Sequence, residues 1–75
     1  FPNPSTGLFY IKMDFELGDY FEVLSISGQR IQTKTIQSVS NTESFTLSNQ
    51  SEGLYILNIF RNNKKVQSQK LALTQ

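Results

Sequence analysis

The stretch GLYILNIF, residues 53–60, is the longest apolar run in the 75-residue chain. It is far shorter than the roughly 20 apolar residues that a helix needs to cross a bilayer. Its aromatic and β-branched side chains, the Gly at its start and the turn-forming segment 61–64 at its end predict a buried strand. Alternation places Tyr55, Leu57 and Ile59 on one face, and the opposite face is also mostly apolar. We therefore expect this strand to lie in the middle of a sheet and to be covered on both sides.

Short alternating segments, divided by turn residues, make up most of the remaining chain and predict further strands. We expect these strands at residues 8–15, 20–25, 30–36, 45–47 and 65–73. Residues 37–44 are polar apart from Val39 and could form a loop or a weak edge strand, of which we expect the loop. Gln32 and Lys34 are expected to face water. The residues predicted to face the core of these strands are Phe9, Ile11, Met13, Phe15, Phe21, Val23, Ile31, Thr33, Thr35, Phe45, Leu47, Leu71 and Leu73.

No segment shows sustained helical periodicity, so the chain is expected to be all-β. The number and spacing of the strands predict a small Ig-like β-sandwich of about seven short antiparallel strands, in one domain spanning residues 1–75. Gly28 is expected to take a positive φ in the loop after the second strand. Gly53 is expected to have either a positive φ or a close backbone neighbour. The pair Asn62-Asn63 suits a two-residue hairpin turn, because Asn tolerates left-handed conformations.

The composition gives little indication of chemistry. The chain has no Cys and no His, and its formal net charge is +1. It therefore lacks thiolate metal ligands and the usual general base, and its scattered charges predict no binding to nucleic acid or to an anionic membrane. Four acidic residues lie close together in the sequence, namely Asp14, Glu16, Asp19 and Glu22. Their spacing fits no Ca²⁺ loop, so we interpret them as solvated surface charge and expect no cofactor, metal or small-molecule substrate.

Several short motifs follow one another along the chain in a definite order. The first is FPNPSTG at residues 1–7, in which an aromatic residue precedes Pro2, Asn3 and Pro4. The second is FEVL at residues 21–24, followed by Gly28 and by a basic and an aliphatic residue at 30–31. The third is FTLS at residues 45–48, followed by GLYILNI at 53–59, and the chain closes with KLAL at 70–73.

Together these motifs resemble the type A C-terminal sorting domain of the type IX (Por) secretion system of Bacteroidetes. The resemblance implies a non-enzymatic C-terminal address label with its cargo covalently attached on the N-terminal side. It also implies passage through the periplasm, recognition of the folded domain by an outer-membrane translocon, and delivery to the cell surface or extracellular space. There a sortase-like cell-surface protease would remove or process the label. The start at Phe1 rather than Met also predicts a longer protein. The candidate recognition residues are Pro2, Asn3, Pro4, Gly28, Gly53, Tyr55, Lys70 and Leu71.

Two other classes of function remain open on the residues alone. One is an Ig-like accessory module of a secreted protein, either carbohydrate-binding or a spacer. A sugar-binding module would normally show exposed aromatic side chains, whereas this chain has no Trp and most of its Phe and Tyr residues fall on predicted strands. The other class is a small enzyme or enzyme fragment, for which the sequence offers no activated nucleophile.

Overall fold

The structure is a computed structural model that describes residues 7–47 and 50–74. Within these ranges there are six β-strands and no helix, which confirms the all-β prediction with roughly the expected number of strands. The strands are β1 (Leu8–Phe15), β2 (Tyr20–Ser25), β3 (Arg30–Thr35), β4 (Ser40–Thr46), β5 (Gly53–Arg61) and β6 (Lys64–Leu73).

The strands form two antiparallel sheets that pack as a sandwich. One sheet contains β1 and β4, and the other has the order β3-β2-β5-β6. The predicted central strand is β5, which lies between β2 and β6 as expected. β5 and β6 are joined by a hairpin in which Asn62 and Asn63 have φ values of 53° and 63°. This left-handed pair confirms the expected two-residue turn.

The core lies between the two sheets and consists of the inward-facing side chains of both. Phe9 of β1 stacks on Phe45 of β4 with ring centroids 5.3 Å apart, and Phe45 also contacts Phe21 of β2 at 5.3 Å. These three rings join the small sheet to the large one. The other buried apolar residues are Ile11, Phe15, Val23, Ile36, Leu47, Tyr55, Leu57, Ile59, Leu71 and Leu73, with Met13 and Ile31 packed against them.

The expectation that β5 is covered on both faces is wrong. Its inner face packs against the small sheet, but no element in the described ranges lies over its outer face. Leu54 on that face is 51% exposed, and Ile56 and Phe60 are half-buried. The alternation of apolar residues therefore predicted the strand correctly but overestimated the number of layers.

Residues 40–44 are part of a strand, so the loop prediction is wrong for them and holds only for residues 37–39; the alternative of an edge strand is the one that the structure shows. β4 pairs with β1 from Leu8 opposite Thr46 to Lys12 opposite Thr42, with an irregularity before Phe15. A polar segment forms a strand here because β1 offers unpaired backbone groups that must find hydrogen-bond partners. The side chains of this polar part of β4 lie mostly at the surface, which is why the sequence shows no apolar signal.

The prediction that Thr33 and Thr35 of β3 face the core is also wrong, whereas Lys34 is exposed as expected. Thr33 and Thr35 pair with Glu22 and Tyr20, which point away from the core, whereas Lys34 pairs with the buried Phe21. Val23 of β2 lies opposite Gln32 and Leu24 lies opposite Arg30, so Ile31 is an extra residue that forms a bulge in β3. A shift of one residue exchanges the two faces of a strand, so alternation counted from Ile31 fails beyond the bulge.

Replacement of Leu57 by Ala should lower the free energy of unfolding by about 2–5 kcal/mol, because it removes a fully buried side chain from the middle of the core. Leu54→Ala on the same strand is the matched control. It removes the same atoms from the outer face and should cost less than about 1 kcal/mol. Denaturant unfolding of both variants checks this expectation, and equal midpoints for the two would contradict the assignment of faces.

Candidate recognition surface

The sequence motifs meet at one end of the large sheet. β2 ends there, β5 begins there, and β6 ends there, because all three strands pair antiparallel to their neighbours. Tyr55 lies opposite Ser25 on one side and Leu71 on the other, and Gly53 lies opposite Leu73. Residues that are distant in sequence therefore come together at this edge. Pro2, Asn3 and Pro4 lie outside the described residues.

Tyr55 fixes the path by which the chain enters β5. Its ring is buried in the core, and its hydroxyl donates a hydrogen bond to the backbone carbonyl oxygen of Ser51. The bond therefore ties the preceding segment to the sheet. A tyrosine that bonds back to the backbone a few residues upstream has the same effect in Ig-like sandwiches. The geometry thus gives Tyr55 a structural role at the start of the central strand.

Both motif glycines have the backbone conformation that favours glycine. Gly28 has a φ of +94° in the turn that joins β2 to β3, where its N–H donates to the Ser25 carbonyl oxygen at 2.9 Å. Gly53 has a φ of +151° at the first position of β5. A Cβ added at either residue would meet no heavy atom within 4 Å. The expected positive φ values are therefore confirmed, and a close backbone neighbour at Gly53 is not the reason for the glycine.

Lys70 and Leu71 point to opposite faces of β6. Leu71 is fully buried in the core, whereas Lys70 is exposed and lies opposite Ile56 on the outer face of the sheet. Within the closing motif at residues 70–73, Lys70 is the residue with a long exposed side chain. The motif therefore combines core positions, which shape the domain, with one charged position that a partner can reach.

A comparison with known families identifies the chain. The family model of the secretion system C-terminal sorting domain matches residues 1–74. The chain belongs to this family. No curated protein and no solved structure matches it. Membership confirms the resemblance drawn from the motifs and supports a C-terminal sorting signal for type IX secretion. A sorting domain implies contact with the secretion machinery, a cargo on its N-terminal side, and export to the cell surface or extracellular space.

The opposite end of the sorting domain holds an ion pair that the sequence did not indicate. Asp19 is only 2% exposed, so its interpretation as solvated charge is wrong. Arg61 donates to its carboxylate from Nε at 3.0 Å and from Nη2 at 2.8 Å, and the Glu16 N–H donates to it at 2.8 Å. Arg61 Nη2 also donates to the carbonyl oxygen of Asp14. The pair thereby joins the end of β5 to the turn between β1 and β2.

The ion pair between Asp19 and Arg61 stabilises the charged forms of both side chains, as a structural contact does. Hydrogen bonds from Arg61 lower the pKa of Asp19 from its ordinary value, and burial, which acts in the opposite sense, is outweighed. The same contact raises the pKa of Arg61. No group of His, Cys, Asp and Glu among residues 7–47 and 50–74 is arranged to hold a metal ion. Nor do these ranges include a helix of the length and apolarity required to traverse a membrane.

Asp19→Asn should destabilise the sorting domain at neutral pH, and the difference from the parent should shrink in acid. A carboxyl whose pKa is lowered on folding contributes stability that is complete above its unfolded pKa of about 3.9. That contribution is lost as the pH falls through the folded pKa. Glu43, whose pKa is lowered chiefly by a hydrogen bond from Ser40, adds to the acid sensitivity of both proteins.

Denaturant midpoints measured from neutral pH down through the carboxyl range test this expectation. Asp14→Asn is the matched control, since the Asp14 side chain is exposed and Arg61 reaches its carbonyl oxygen rather than its carboxylate. The control should be destabilised less than Asp19→Asn at neutral pH, because it leaves the hydrogen bonds between Arg61 and Asp19 in place. A difference between Asp19→Asn and the parent that stays constant with pH would show that the charge of Asp19 contributes nothing.

Proposed function

We propose that this sorting domain is a non-catalytic label that an outer-membrane translocon recognises in its folded form after the cargo has crossed the periplasm. A sortase-like cell-surface protease then removes or processes the label. We also assign the domain to the type A class of Bacteroidetes, on the motif resemblance. The observation that carries the proposal is the family match over residues 1–74.

The arrangement of the motifs supports recognition of a folded domain rather than of a linear peptide. Gly28, Gly53 and Lys70 are far apart in sequence, but they lie on the strands and turn at one end of the large sheet. An unfolded chain would not hold them together. The non-catalytic assignment rests on the absence of His and Cys from the sequence and on the family, in which the label is separate from the activity of the cargo.

Residues 1–75, fused behind a Sec signal and a fluorescent protein, should carry that protein across the outer membrane of a bacterium with a type IX system. The measurement is the distribution of fluorescence between periplasm, cell surface and medium. The same reporter with an established sorting domain is the positive control. If this control is exported while the fusion with residues 1–75 accumulates in the periplasm, the sorting function is wrong and an accessory module takes its place.

Lys70→Ala should reduce export of the same fusion without unfolding the domain, because the side chain is exposed on the outer face of β6. Lys64→Ala is the matched control, since Lys64 is an exposed lysine at the opposite end of the same strand. Thermal unfolding of both purified variants separates recognition from stability. Export of Lys70→Ala equal to that of Lys64→Ala would leave Lys70 without a part in recognition.

A further inference from the structure

The large sheet has an outer face that carries a buried polar side chain. We define the outer sheet face as the side of the large sheet turned away from the core, with Tyr20 and Glu22 from β2 and Leu54, Ile56, Asn58 and Phe60 from β5. Asn58 lies at its centre and is only 5% exposed, because its neighbours cover it. A buried amide on the solvent side of a sheet is unusual, since Asn is mostly exposed in folded proteins.

The side-chain oxygen of Asn58 accepts no hydrogen bond from the described part of the chain. Asn58 Nδ2 donates to Oε2 of Glu22 at 3.1 Å, which fixes the orientation of the amide. Its Oδ1 accepts nothing from the described part of the chain. Ser68 lies opposite Asn58 in register, but no hydrogen bond joins the two side chains. Nearly all buried polar atoms in folded proteins have a partner, so an acceptor left alone in a covered position calls for an explanation.

The surroundings of Asn58 are apolar and incompletely covered. Ile56 and Phe60 flank it on β5 and are half-buried, and Leu54 farther along is 51% exposed. The ring of Phe60 stacks on that of Tyr20 at 4.8 Å, which gives the face a flat aromatic patch. At the margin, Arg30 of the edge strand β3 pairs at 3.2 Å with Glu22, the residue that holds the Asn58 amide. An apolar area around a directed polar group and inside a polar rim is the usual composition of a protein interface.

The positive charge of β6, which pairs with β5, indicates a partner with acidic groups. Lys70 and Lys65 lie opposite Ile56 and Phe60 on the same face, and β6 contains no acidic residue. Lys70 also belongs to the closing motif of the sorting domain. The apolar area and the motif lysine thus form one continuous surface. A lipid tail has no hydrogen-bond donor for Asn58, so the surface fits a protein better than a membrane.

We propose that the outer sheet face is where a protein of the secretion machinery docks on the sorting domain. The partner places apolar side chains on Leu54, Ile56 and Phe60, donates an N–H or O–H to Asn58 Oδ1, and sets a carboxylate beside Lys70. This inference rests on the proposed function, because the machinery is the partner that sorting requires. The outer side of the small sheet also exposes Leu8 and Tyr10, but no buried side-chain atom described there lacks a partner.

The test uses the reporter fusion with three substitutions. Asn58→Leu keeps the size of the side chain and removes both the unpaired acceptor and the donor to Glu22, whose carboxylate keeps its contact with Arg30. These two effects on stability oppose each other, so the thermal midpoint should change little. Leu54→Lys places a charge on the apolar area at a half-exposed position. Leu8→Lys is the matched control, since it changes the same residue type at 42% exposure on the small sheet. Export of Asn58→Leu and Leu54→Lys should fall by about tenfold, the effect of losing a central interface contact, while Leu8→Lys stays at the parent level.

Each possible result decides between recognition and structure. A stable Asn58→Leu domain with impaired export supports docking, since a structural role would lower the thermal midpoint instead. Parent-level export of Asn58→Leu and Leu54→Lys, or equal losses in Leu54→Lys and Leu8→Lys, would overturn the assignment while leaving the sorting function intact. A parent fusion that is not exported would instead reject the sorting function, and the inference with it. If the purified domain elutes as a dimer that Leu54→Lys dissociates, a second copy occupies the face and the assignment is wrong.

Discussion

The two sheets of the sorting domain are held together mainly by the burial of apolar side chains, because no described strand belongs to both. The three rings of Phe9, Phe45 and Phe21 are the centre of this contact, and each ring comes from a different strand. In a chain this small the core is limited, so a large share of the stability depends on these contacts. The alignment of the motifs, by contrast, is set by backbone pairing within the large sheet.

β5 connects the core to both ends of the large sheet through side chains at its start and at its end. At its start, Tyr55 joins the core to the backbone at Ser51, where the motif residues converge. At its end, Arg61 closes the ion pair with the buried Asp19 and reaches the carbonyl oxygen of Asp14 in the small sheet. The two ends are therefore specialised differently. One presents the residues that mark the chain as a sorting domain, and the other fixes how the sheets meet.

The parts of the fold that the sequence predicted are those where one strand's own alternation decides the outcome. Phe9, Phe21 and Leu57 are buried as expected because each lies in a clear period-two pattern. The errors concern relations between strands. The bulge at Ile31 exchanges the faces of β3 beyond it. β4 is a strand because β1 needs a partner, and Asp19 pairs with Arg61 at a separation of 42 residues. None of these relations leaves a local signal. The convergence of Gly28, Tyr55 and Lys70 likewise required knowledge of the register.

The most informative of these errors is the expected second cover over β5. The apolar residues on its outer face were interpreted as evidence for another layer, and no described element supplies one. A sequence that specifies a self-sufficient domain would place polar side chains there, as it does on the outward-facing part of β3. Instead the face retains Leu54, Ile56 and Phe60 around an amide oxygen without a donor. Exposed apolar side chains and unpaired polar atoms are expected on a surface that binds a partner, because such a surface gives up some stability of the free domain for recognition. The apolar pattern of β5 therefore identified the strand but not a second layer of this domain, and the proposed docking of a partner accounts for the apolar residues on its outer face.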